Sequence, residues 1–107
     1  MAKLPNIHPG EILREEFLIP LNMSAYRLAI ETKIPQTRIS QIIKGKRSIT
    51  ADTALRLSAV FGTSPQFWLG LQDDYDLEEE RGRLKEILKE LQPHSMGITS
   101  GHKTVAA

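Results

Sequence analysis

Four polar residues that can form several kinds of hydrogen bond lie close together in the middle of the chain: Gln36, Thr37, Ser40 and Gln41. A glutamine amide both donates and accepts, so it can bond the exposed edge of an adenine in the major groove of DNA. Thr37 offers a hydroxyl and a methyl that suits a thymine methyl, and Ser40 is short enough to allow close approach. On one helix face these residues predict contacts with the bases of double-stranded DNA; the alternative is an ordinary solvated face.

Basic residues surround these four positions. Between Ser24 and Arg47 the chain has six basic residues and one acidic residue, a local net charge of +5. The hydroxyls of Ser24 and Thr50 stand at predicted helix starts, whose free N–H groups also suit a phosphate. Such contacts fix the register of a protein on DNA and supply salt-dependent affinity. We predict phosphate contacts at seven positions: Ser24, Arg27, Arg38, Lys44, Lys46, Arg47 and Thr50.

Helices are predicted to position these side chains, because apolar residues recur at three- and four-residue spacing and no stretch alternates as a strand would. Cap residues, prolines and glycines set the boundaries. The five predicted helices run from Pro9 to about Pro20, Ser24 to Thr32, Pro35 to Gly45, Thr50 to Gly62, and onward from Ser64. The second and third, joined by a tight turn at residues 32–34, form a helix-turn-helix whose second helix would enter the major groove.

A charged helix with a leucine every seven residues follows this region. Residues 73–91 include eight acidic and four basic residues, a net charge of −4, so we expect this helix to project away from DNA. Its apolar stripe either folds back to complete the core or stays exposed to meet a sister subunit or another protein. The residues of this dimer or partner interface are Leu77, Leu84, Ile87, Leu88 and Leu91.

The chain is therefore predicted to be all-α, with three parts. Residues 1–76 form the DNA-binding helix-turn-helix domain, residues 77–92 form an amphipathic helical extension, and residues 93–107 form a tail. The tail is small, polar and aperiodic, so we expect it to be disordered. We expect Trp68 and Phe67 to pack in the core and His8 to shape the start of the first helix.

Several classes of protein are disfavoured. The chain has no cysteine, and its three histidines are scattered, so we predict no metal site and no cofactor. No glycine-rich phosphate loop or nucleophile with a nearby base is present, and the consecutive Glu78, Glu79 and Glu80 point in different directions, so we predict no enzyme. No apolar run approaches the roughly 18 residues of a membrane span, and the N-terminus lacks a signal-peptide core, so a cytoplasmic location is expected.

The motif at residues 28–47, LAIETKIPQTRISQIIKGKR, resembles the phage-repressor (Cro/CI, or XRE) helix-turn-helix family. Three further segments narrow the resemblance to the HigA antitoxin group: HPGEIL at 8–13, ITADTALRL at 49–57 and FGTSPQFWL at 61–69. These segments occur in the expected order, and the match spans about two-thirds of the chain, from His8 to Leu77. Two positions depart from the broader pattern. Lys33 replaces the usual glycine of the turn, where we expect a left-handed backbone conformation. Pro35 replaces a serine or threonine cap, so we expect the helix that it starts to lack a side-chain capping bond.

The resemblance implies a five-helix, lambda-repressor-like domain that forms a homodimer and represses its own operon by binding operator DNA. It also implies a toxin partner, HigB, an RNase that resembles RelE and cuts mRNA on the ribosome. The four polar positions match the family's base-contacting positions, and Arg38, Lys44, Lys46 and Arg47 match phosphate-facing ones. Two alternatives remain: a stand-alone XRE-type regulator without a toxin, and an interaction module that has lost DNA binding.

Overall fold

The computed structural model describes residues 5–95, and these residues form helices and no strands. A first helix, α1 (Pro9–Ile12), continues directly into a π-helical segment, Leu13–Leu18. The helices that follow are α2 (Ala25–Thr32), α3 (Gln36–Ile43), α4 (Ala51–Phe61), α5 (Pro65–Arg83) and α6 (Lys85–Glu90). The all-α prediction is confirmed, and α6 lies within the helical extension predicted at residues 77–92. Most of the predicted tail, residues 96–107, lies outside the described residues.

The helix starts follow from local hydrogen bonds. The hydroxyl oxygens of Ser24, Thr50 and Ser64 accept from backbone N–H groups three residues later, at 3.0, 3.4 and 3.1 Å. His8 Nδ1 accepts from the N–H of Gly10 at 2.9 Å and so begins α1, which confirms its predicted role. These bonds satisfy donors that the first turn of a helix leaves free.

The core lies where the N-terminal helical segment (residues 9–18) and helices α2 to α5 meet. Trp68 is fully buried, its Nε1 donates to Thr63 Oγ1 at 2.7 Å, and its ring lies 4.9 Å from that of Phe17. The predicted core role of Trp68 is confirmed, whereas Phe67 keeps 39% of its surface exposed. The other fully buried large side chains are Leu13, Leu28, Ile39, Ile42 and Leu57.

A close backbone approach sets the position of α3 on α1. A Cβ atom added at Gly10 would lie 1.8 Å from the carbonyl oxygen of Ile42, well inside any van der Waals contact. Only glycine allows the two helices to pack at this distance. The packing of α3 therefore depends on a residue of the N-terminal helix.

The leucine stripe does not fold back onto the core, so that interpretation was wrong. Leu77, Ile87, Leu88 and Leu91 are each about half exposed. At about 28 Å, α5 is long enough to carry its C-terminal half beyond the body of the domain. The stripe also spans two helices rather than one, because Leu84 separates α5 from α6 with φ −98° and ψ 8°. The predicted boundary between residues 76 and 77 falls inside α5.

None of the helices within residues 5–95 combines the length and the apolar character that crossing a membrane requires.

Candidate nucleic-acid interface

The turn between α2 and α3 requires a left-handed residue, and Lys33 occupies it. Its φ and ψ are 59° and 35°, which confirms the prediction for this position. A non-glycine residue in this conformation costs about 1 kcal/mol. Arg56 Nη1 of α4 donates to the carbonyl oxygens of Thr32 (2.9 Å) and Lys33 (3.3 Å). This side chain satisfies carbonyls at the end of α2 and ties the turn to α4.

Helix α3 has one buried and one exposed face. Pro35 precedes it without a side-chain capping bond, as predicted, and Gly45 follows it with φ 75°. Ile39 and Ile42 are completely buried, which fixes the orientation of the helix. The residues that line a shallow depression on its opposite face are Gln36, Thr37, Ser40, Gln41 and Lys44. The structure thus brings the four predicted base-contacting residues together on one accessible surface.

The predicted phosphate-contacting arginines all have protein partners in the free chain. Arg27 Nε lies 2.6 Å from Glu31 Oε2, one turn along α2. Arg38 turns toward α4, with its Nη2 3.8 Å from Asp52 Oδ1 and its side chain only 30% exposed. Arg38 Nε is buried and has no hydrogen-bond partner among the described residues. Asp52 is itself bonded to Arg56 at 2.8 Å, so this carboxylate is compensated by two guanidinium groups.

The third of these arginines joins the two predicted contact sets. Arg47 Nε donates to Gln41 Oε1 at 2.9 Å, across the C-terminal end of α3. Lys44 and Lys46, like Arg47, are exposed on the loop of residues 44–50 that follows α3. Ser24 and Thr50, also exposed, hold the N-terminal ends of α2 and α4. The predicted basic positions therefore divide into exposed lysines and internally bonded arginines.

His8 lies between the loop that follows α3, at Gly45, and helix α5, at Tyr75. Its ring would contact a Cβ at Gly45 at 3.6 Å, and it meets the Tyr75 ring edge-on with 4.8 Å between centroids. Partial burial lowers the pKa of His8 below its ordinary value of 6.5, and the nearby Asp76 carboxylate opposes that shift. Among the described residues no group of histidine, aspartate and glutamate side chains could hold a metal ion.

Sequence reasoning missed a buried amide behind the loop. Gln72 of α5 is only 4% exposed, and its Oε1 accepts from the N–H of Ile49 at 2.7 Å. Its Nε2 donates to Asp76 Oδ1 at 3.0 Å. The available signal was its position four residues after Trp68, which places both side chains on the same face of α5. Arg56 was also missed, although it stands one turn after Asp52.

The family model described as Helix-turn-helix matches residues 13–68. Among curated proteins, virulence-associated protein I of Dichelobacter nodosus is 51% identical over 76 residues, which cover 71% of this chain and 70% of that protein.

Two solved structures extend the likeness over most of the chain. A HigA-family addiction module antidote protein from Coxiella burnetii is 51% identical, with a TM-score of 0.80 over 85% of this chain and 100% of that one. The Pseudomonas aeruginosa antitoxin HigA, solved with the higBA promoter, is 41% identical, with a TM-score of 0.79 over 83% of this chain and 98% of that one.

Proposed function

Because this chain belongs to the helix-turn-helix family, within its HigA antitoxin group, we propose that it binds operator DNA and represses its own operon. The observation that carries the proposal is the accessible polar face of α3, whose opposite face is locked into the core by Ile39 and Ile42. In a homodimer each α3 would enter the major groove of one half-site. The half-site centres would then lie about 34 Å apart, or a multiple of that distance.

In this complex the exposed lysines meet phosphates directly, whereas two arginines exchange partners. Lys44 and Lys46 need no rearrangement, because both are already exposed beside α3. Arg27 leaves Glu31, and Arg38 turns from Asp52, and each forms a charge-assisted bond with a phosphate instead. The N–H groups at the starts of α2 and α4, behind Ser24 and Thr50, provide further donors. The protein acts by binding in this account, with no catalytic step and no cofactor.

A second part of the proposal concerns the antitoxin role. The names of the relatives, a HigA-family antidote protein and the antitoxin HigA, support a toxin partner. We propose that this partner is HigB, an RNase resembling RelE, as the sequence resemblance implies, and that the two proteins act in the cytoplasm. A surface suited to a protein partner is the exposed apolar stripe of α5 and α6. The acidic segment that carries it favours a basic partner, and its apolar side chains also suit a sister subunit. The residues proposed for it are Leu77, Leu84, Ile87, Leu88 and Leu91. A regulator of the same fold without a toxin is the alternative.

Selection from a library of random DNA duplexes tests the first part. The purified protein should enrich a near-palindromic sequence whose half-sites have the spacing given above. Enrichment of no sequence, or of single sites without symmetry, contradicts the proposed dimeric operator complex.

Native mass spectrometry tests the second part. The protein is expressed from its own operon together with the adjacent reading frame. A complex that contains the neighbour's product supports the antitoxin role, whereas a bare homodimer favours the stand-alone regulator.

A further inference from the structure

The buried amide of Gln72 has both of its ends bonded. A polar side chain removed from water is costly unless its donors and acceptors find partners, and here they do. The N–H of Ile49 can only donate and the carboxylate of Asp76 accepts, so the amide oxygen must face Ile49 and the amide nitrogen must face Asp76. Gln72 therefore has one defined orientation.

The group that Gln72 holds belongs to the loop that follows α3. Ile49 is 2% exposed and directly precedes Thr50, the cap of α4. Earlier in the same loop, residues 44–47 carry the lysines and the arginine proposed to face phosphates. The backbone of this loop begins with bonds back to α3, such as Lys46 N to Gln41 O at 2.8 Å. Gln72 secures its far end from a different helix.

The same face of α5 also supports the beginning of the loop. Tyr75, one turn after Gln72, packs against His8. The His8 ring lies beside Gly45, where an added Cβ would meet it at 3.6 Å. Asn6 Nδ2 donates to the carbonyl oxygen of Tyr75 at 3.0 Å and keeps this N-terminal segment in place. Both ends of the loop thus rest on one polar face of α5.

We propose that Gln72 is a positioning residue for DNA binding, which acts by holding the N–H of Ile49 and so ordering residues 44–50. The inference rests on the proposed DNA binding. A loop that is ordered before it meets DNA loses less conformational entropy on binding, so its lysines and the start of α4 bind phosphates more tightly. Loss of the Gln72 bond then weakens DNA binding even while the domain stays folded.

The first test compares three variants with the wild type. Q72M has a similar length but no strong acceptor for Ile49 N–H. Q72E keeps the acceptor but places a second carboxylate against Asp76. The double variant Q72E/D76N exchanges the donor and the acceptor, so it restores the bond with the wild-type net charge. Q66M and Q66E, at an exposed glutamine of the same helix, are the matched controls.

The measured quantity is the affinity for the duplex that the wild type selects from a random library, at a temperature where circular dichroism shows each variant to be folded. We expect Q72M and Q72E to bind about tenfold more weakly. The double variant should recover most of that loss, and both Gln66 controls should bind like the wild type. If Q72M and Q72E melt earlier yet keep wild-type affinity when folded, Gln72 only stabilises the fold and the proposal is wrong. If Q72M does not fold, Q72E is compared with the double variant. Weaker binding by folded Q72E that the double variant restores supports the proposal, and equal, wild-type affinities of the two overturn it.

Hydrogen exchange of the free protein distinguishes a failure of the role assigned to Gln72 from a failure of the proposed DNA binding. In Q72M the Ile49 amide should exchange faster and the amides of residues 44–48 should lose protection. Wild-type protection throughout the loop overturns the positioning role whether or not the protein binds DNA. Failure of the wild type to select any duplex, with the loop loosened in Q72M, instead overturns the DNA-binding proposal and with it the role assigned to Gln72.

Discussion

Arg47 donates its Nε–H to the side-chain oxygen of Gln41 at 2.9 Å, which links a residue predicted to face phosphate with a residue predicted to face bases. Because the arginine can only donate, the bond directs the amide oxygen of Gln41 toward Arg47. The amide NH₂ group remains available to the groove. In this arrangement Gln41 presents donors, which suit acceptors such as N7 and O6 of guanine.

We therefore expect R47M to change base preference as well as affinity. Without the guanidinium the Gln41 amide can rotate and offer both a donor and an acceptor, so discrimination at its base pair should weaken by about 1 kcal/mol. Affinities for duplexes with single base-pair changes measure this effect. K46M is the matched control and should weaken binding to all of these duplexes equally. An R47M variant that behaves like K46M would show that Arg47 does not orient Gln41.

The exposed lysines should account for much of the salt dependence. Each phosphate contact contributes about 0.9 to the slope of log affinity against log salt concentration. Because the substitutions occur in both subunits of the proposed homodimer, K44A/K46A removes four such contacts. We expect it to reduce the slope by roughly 3.6 and to weaken binding to selected and shuffled duplexes alike. K85A/K89A, on α6, serves as the control for the change in net charge. An unchanged slope in K44A/K46A means that these lysines do not contact phosphates.

Gly10 should tolerate no side chain. In G10A the new methyl would meet the Ile42 carbonyl oxygen at 1.8 Å, so α1 and α3 must separate. We expect a loss of about 1–3 kcal/mol in the free energy of unfolding, measured in urea, together with weaker DNA binding. G70A is a helical control with no atom within 4 Å of its added Cβ, and it should stabilise the protein by up to about 1 kcal/mol. Equal effects of the two substitutions would contradict the close packing.

Stability should fall in mild acid because of His8. Its folded pKa lies below the ordinary value of 6.5, so the unfolded chain binds the proton more readily. The contribution of neutral His8 is therefore complete above pH 6.5 and is lost as the pH falls toward the folded pKa. Protonation also removes the Nδ1 acceptor for Gly10 N–H. H8N keeps an acceptor at the cap without titrating, so its unfolding free energy should depend less on pH in this window. The same pH dependence in H8N and wild type would rule out His8 as the cause.

The elements around α3 could be predicted from sequence because their determinants are local. Ser24, Gly45 and Lys33 act within a few residues of their own positions, through a cap and two left-handed conformations. The four polar residues of α3 share a face for the same reason. Helical spacing alone places them there once Ile39 and Ile42 are assigned to the core.

The supports of the site could not be predicted, since they join distant parts of the chain. Gln72 and Ile49 are 23 positions apart, and Arg56 and Thr32 are 24 apart. Local spacing places Gln72 on the same face of α5 as Trp68, but it does not show that Gln72 bonds Ile49 or that Arg56 bonds the end of a neighbouring helix. The leucine repeat left two interpretations open for a related reason, because a heptad pattern does not reveal whether a helix reaches the core or extends past it.

The central claim, that the polar face of α3 contacts bases, is tested most directly by one affinity ratio. This is the affinity for the selected duplex divided by the affinity for a shuffled duplex of the same composition, measured for Q36A, the wild type and the exposed-surface control Q66A. We predict that Q36A loses about 1–3 kcal/mol on the selected duplex and almost nothing on the shuffled one, so that its ratio falls while that of Q66A does not. An equal loss on both duplexes, or no loss on either, would contradict base contact by α3.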